Sequence, residues 1–155
     1  MTAKKNPYSQ RTDLEKIQSN WNKIVGLFER GEWSSAIVRA ATACEIAANL
    51  RVREELQRRH GLDPAFVDSL LKWANGIQGK FDRLLLPSAR GKKARDRLKR
   101  VKPKVDVINR ERNAVVHSGV FKKRESAEKI IALARHVVLR MVKEHHKKFE
   151  LEDIG

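Results

Sequence analysis

The segment INRERNAVVHSG, residues 108 to 119, sets Arg112 and Asn113 five and four positions before His117. A guanidinium can grip two phosphate oxygens in a fork. An imidazole can move a proton near neutral pH, and a carboxamide can orient either group. Together these are the parts of a phosphodiester-handling site. Spacing alone is a poor guide in a chain with 17 arginines and five histidines, where roughly one or two arginine–histidine pairs with four to six residues between them arise by chance. Arg53 with His60, Arg110 with His117, and Arg140 with His145 and His146 also fit, but their arginines precede Glu or Met; only Arg112 precedes Asn.

Helical geometry sharpens the choice. On a regular helix from Pro103, the apolar stripe holds Val105, Ile108, Val115 and Val116, and Arg112 falls on that stripe. An apolar stripe is a costly place for an unpaired charge. Glu45, with Val38, Ala41, Thr42, Ala48, Asn49 and Val52 at helical spacing, is the expected partner. The bland alternative is a buried ion pair that only fixes helix register. Asn113 and His117 stand one turn apart on the adjacent face. Ser118 and Gly119 end the helix just after His117, where the macrodipole favours a positive side chain and so suits an acid or electrostatic role.

The elements that must carry these residues read as helices throughout. Asp13 starts a first helix, with Leu14, Ile17, Trp21, Ile24, Val25 and Phe28 at three–four spacing and a stop at Gly31. A second runs from Ser34 to Arg59, its alanine-rich first half allowing close approach of a neighbour. Asp63–Pro64 opens a third, to Leu86. A fourth covers residues 93–118, kinked or restarted at Pro103, and a fifth spans residues 125–149. Trp33, Trp73 and Phe81 are expected in the core. The expected architecture is all-α: one bundle of about five helices over residues 13–149, a loose N-terminal segment over 1–12 and a C-terminal tail over 150–155.

Composition narrows the partners. A chain of 155 residues suits one domain with a real core. The 34 Lys+Arg against 19 Asp+Glu, net +15, favour a polyanion, first nucleic acid and second an anionic membrane surface. The excess is local: residues 90–124 hold 14 Lys or Arg and three acids. Lys102, Lys104, Arg110, Lys122, Lys123 and Arg124 flank the Arg112–His117 segment and are the expected phosphate track. A single cysteine, Cys44, permits no internal disulfide and fits a reducing cytoplasm. No secretory leader or membrane span is expected. The adjacent His145 and His146 diverge by about 100° on a helix, so no metal site is expected. The eight glycines form no phosphate-binding loop, and no cofactor is expected.

The hexapeptide RNAVVH, Arg112 to His117, resembles the R-(N/D/H)-x-x-x-H signature of HEPN domains, the higher eukaryotes and prokaryotes nucleotide-binding family. The upstream GEWSSAIVRAATACEIA is similar to that family's alanine-rich second helix, with an acidic residue at the place of Glu45. The resemblance covers residues 12–148, with the hexapeptide as its sharp part. It implies a helical bundle, commonly a homodimer with two motifs facing each other. It also implies a metal-independent endoribonuclease activity of the toxin–antitoxin or RNA-defence kind, or, in other members, a binding module without catalysis. No nucleotidyltransferase domain accompanies the motif here, so an antitoxin or regulatory partner would be a separate protein. On this reading the substrate's 2′-hydroxyl attacks its own phosphate, leaving a 2′,3′-cyclic phosphate and a 5′-hydroxyl. His117 would handle protons, Arg112 would hold non-bridging oxygens, Asn113 would orient one of them, and Glu45 would position Arg112.

Overall fold

The computed structural model describes residues 6–154, and among them every regular element is helical. Six helices form the bundle: α1 (Asp13–Glu29), α2 (Trp33–Arg53), α3 (Pro64–Trp73), α4 (Gly76–Lys80), α5 (Gly91–Ser118) and α6 (Arg124–Val142). No helix among the described residues is long and apolar enough to cross a membrane.

Thr12, rather than Asp13, caps α1. Its Oγ1 accepts from the Glu15 backbone N–H at 3.2 Å and donates to Glu15 Oε1 at 3.2 Å. Ile17, Trp21 and Ile24 then face inward on one stripe. Gly31, at φ +74°, takes the left-handed turn that sends the chain into α2. Helix α2 is the axis of the molecule, packed chiefly against α1 and α6. Its fully buried Ala36, Ala40, Ala43 and Ala47 let those helices approach closely. Beyond Arg53 it widens into an i to i+5 turn over Glu54–Arg59 before stopping at His60.

Three expectations need correction here. The single third helix is two, because Gly76 at φ +78° cannot lie inside a right-handed helix. After Lys80 the second piece runs on through a wide turn over Phe81–Leu85 and closes at Leu86–Ser88. Trp73 is 61% exposed instead of buried: α3 buries Val67 and Leu71, and Ala74 just after it, while Trp73 falls outside that stripe with the Arg83 guanidinium 5.0 Å above its ring. The last helix ends at Val142, not 149, where His146 Nε2 turns back to within 2.6 Å of the buried Glu54 carboxylate.

The segment 150–155 is docked where it is described. Leu151 is buried, its carbonyl accepting from Arg135 Nε and Nη2 at 3.1 and 3.0 Å, and Trp21 Nε1 donates to the Glu152 carbonyl at 2.8 Å. Of the expected loose segment 1–12, residues 1–5 lie outside the described residues; the rest holds one turn at Tyr8–Gln10.

Candidate functional site

Helix α5 runs unbroken through Pro103, held on either side by Leu98 and Val101 and by Val105 and Ile108, all buried. Past Ile108 its apolar stripe leaves the core. Val115 is half-buried, and Val116 is exposed, contrary to expectation. Arg112 is therefore a half-buried group on a projecting helix end, not a cation sealed in the core. Its Nη1 donates to Asn113 Oδ1 at 3.1 Å. His117 is exposed in the last turn. Gly119, at φ +61°, closes the helix, and the Val120 N–H reaches back to the Ala114 carbonyl at 3.2 Å.

The expected Glu45–Arg112 pair does not form. Glu45 Oε1 lies 3.1 Å from the ammonium of Lys80, which is buried and also donates to the Ala74 carbonyl at 3.3 Å. Helix α4 packs on α2 and delivers this cation, so Glu45 has a neighbour nearer than α5 supplies. Arg112 makes no ion pair among the described residues.

The flanking cations divide into two groups. Lys102 is committed to Asp82 at 2.8 Å and Asp106 at 3.5 Å; chiefly the Asp82 hydrogen bond holds its ammonium above the ordinary lysine range. Lys122 lies 2.7 Å from Glu111, and its backbone N–H donates to Ser34 Oγ at 2.9 Å. Arg124 pairs with Glu128 at 2.9 Å and covers the rings of Phe28 and Trp33. Lys104, Arg110 and Lys123 make no ion pair among the described residues and face solvent wholly or in part. Three of the six expected phosphate contacts therefore first hold the local structure.

Beside His117 three apolar side chains stand in water: Val116, Val120 and Phe121, the last 93% exposed. Sequence reasoning missed this patch, although VVHSGVF shows it as apolar residues on both sides of a helix stop. Reasoning from sequence also passed over the buried charges at the far end of α2. Arg51 Nε lies 3.3 Å from Glu55, and Glu54 meets His146. Arg51 follows Ala47 and Ala48 at helical spacing, which marks it as inward-facing.

Cys44 is fully buried; burial pushes its thiol pKa well up, so it offers no thiolate nucleophile. Among the described residues no three His, Cys, Asp or Glu side chains gather closely enough to hold a metal ion. No family model matches the chain, and neither curated proteins nor solved structures give a significant match.

Proposed function

We propose that this chain is a metal-independent endoribonuclease of the HEPN type, acting in a toxin or RNA-defence role as a cytoplasmic homodimer. The observation that carries the reading is the placement of Arg112, Asn113 and His117. Three polar groups suited to a phosphodiester share the final turns of one helix, outside the core, and none of them makes an ion pair among the described residues. Arg112 keeps N–H donors beyond the one given to Asn113 and would bind non-bridging oxygens as charge builds on the phosphorus. Asn113 holds the guanidinium in place. His117 would take the 2′-hydroxyl proton or deliver one to the leaving 5′-oxygen. A single chain supplies one such histidine, so a two-fold pair is the simplest source of both acid and base. The apolar Val116, Val120 and Phe121 beside His117 give that pair a contact. Arg110 and Lys123 would extend the phosphate track, and Glu45 is assigned to Lys80 and structure rather than to catalysis.

The competing reading is an RNA-binding module without turnover, and one observation favours it: among the described residues no second titratable side chain hydrogen-bonds His117. Incubation of end-labelled structured RNA with wild-type and His117→Ala protein in excess EDTA separates the two. Cyclic-phosphate ends from the wild type alone are expected. RNA retained intact by both proteins would establish the binding module, and equal cleavage by both would remove His117 from the site.

A further inference from the structure

A second concave site lies on the other half of α5. Between that helix and α6 is a pocket of about 280 Å3. Arg97, Arg100 and Lys104 enter it from α5 at helical spacing, Arg140 from α6, and Arg51 from α2. The single carboxylate in the lining is Glu144, which lies 3.8 Å from Arg51 Nη1 and 3.6 Å from Arg97 Nη2. Leu98, Val101 and Met141 form an apolar wall. Like charges do not gather in a concavity without cost, and with Arg51 engaged by Glu55 the one carboxylate of the lining still faces four further cations.

Arg51, only 5% exposed, is already engaged: its Nε lies 3.3 Å from Glu55 and its Nη1 donates to the Met141 carbonyl at 3.4 Å. Arg100, Lys104 and Arg140 have no ion-pair partner among the described residues. His136, one turn before Arg140, also lines the pocket. Its pKa is held below the ordinary 6.5, first by burial and then by Lys104 and Arg140. The side of the pocket formed by Arg100, Lys104 and Arg140 is short of negative charge.

We propose that this pocket binds a small oligophosphate, a ligand with two or more linked phosphates, at a site separate from the Arg112–His117 motif. From Lys104 to His117 is 13 residues of helix, roughly 20 Å at 1.5 Å per residue, so one compact ligand does not touch both. Convergence of cations from three helices on one cavity suits a compact multivalent anion. A nucleic-acid backbone, with its phosphates strung out along a strand, asks instead for an extended track. The ligand would replace Glu144 at Arg51 and Arg97, and the apolar wall leaves room for an organic group on one end. The proposal stands independently of the ribonuclease reading.

Calorimetric titration of the full chain with inorganic triphosphate and, separately, with ATP tests it. Saturable one-to-one binding is expected. Arg100→Ala with Arg140→Ala should weaken it by about ten-fold or more, while Glu144→Gln, which removes the competing carboxylate, should tighten it. His117→Ala should leave it unchanged. Tighter ATP than triphosphate would identify a nucleoside-bearing ligand, and equal affinity an inorganic one. Binding should also draw a proton onto His136 and so strengthen as pH falls from neutral, read as a downfield shift of its ring protons by NMR. Absence of binding at low salt would overturn the proposal, as would binding indifferent to the Arg100/Arg140 change. Loss of RNA retention alone in that variant would make this face part of an RNA track instead.

Discussion

At the scale of single residues, Lys80 shows how a buried charge is settled. Its ammonium is satisfied twice, by the Glu45 carboxylate and by the Ala74 carbonyl left open where α3 ends. Removing it leaves the Ala74 carbonyl without its donor, while the partly exposed Glu45 carboxylate can turn to water, so Lys80→Met is expected to cost about 1–3 kcal/mol, read as an earlier urea midpoint at unchanged slope. Glu45→Gln keeps an acceptor for Lys80 and should cost less. Should Glu45→Gln abolish RNA cleavage while leaving the urea midpoint where it was, Glu45 would return to the catalytic set. That Arg112, Asn113 and His117 share the last turns of one helix was readable because all three lie within six positions, where the helical period decides. The partner of Glu45 was not, since the choice between Arg112 and Lys80 depends on which helix arrives first. A clue existed: Lys80 sits three after Ile77 and four before Leu84, on an apolar stripe where a lysine needs a carboxylate.

Among the elements, α5 carries residues of both proposed sites and depends on how it ends. A Cβ at Gly119 would meet no atom within 4 Å, so a substitution there acts through backbone conformation alone. At φ +61°, alanine costs about 1–2 kcal/mol and asparagine less. The expected order of stability is Gly119, then Asn, then Ala, measured by chemical denaturation, and equal midpoints for Gly and Ala would show that the turn relaxes freely. Cleavage should fall in the same order, because the turn fixes the backbone next to His117. Helix identity was legible from the three–four spacing of Ile17, Trp21 and Ile24 or of Ile130, Ala134 and Val137, each stripe buried as its period implies. Breaks were less so. Gly76 could have been tolerated within a helix or could have turned the chain, and only its positive φ decides between them. The wide turn at Glu54–Arg59 leaves no mark in a polar run, since it arises from burying Glu54 and Glu55 against Arg51 and the histidines after α6. Pro103 removes one N–H from α5 without ending it because apolar anchors grip the helix on both sides.

For the whole molecule, the net charge of +15 sets two associations against each other. Two copies meeting through Val116, Val120 and Phe121 would bring like-charged helix ends together, Arg110, Arg112 and Lys123 among them. Apolar burial favours that contact and charge repulsion opposes it. Salt screens the repulsion, with a Debye length of about 10 Å at 0.1 M falling to about 3 Å at 1 M, while leaving the apolar term intact or slightly stronger. RNA binding runs the other way, because each phosphate neutralised by Lys or Arg releases counterions and salt opposes that release. Light scattering and RNA retention followed together from about 0.05 to 0.5 M salt should therefore move in opposite directions, the dimer fraction rising as RNA affinity falls. Phe121→Asp should hold the chain monomeric across the range and, if acid and base come from different copies, abolish cleavage while sparing much of the RNA affinity. A monomer that cleaves RNA as fast as wild type would place both proton transfers within one chain and end the case for a shared site. Dimer and RNA affinity falling together with salt would mean that the contact is ionic, and that the exposed phenylalanine is not what joins the copies.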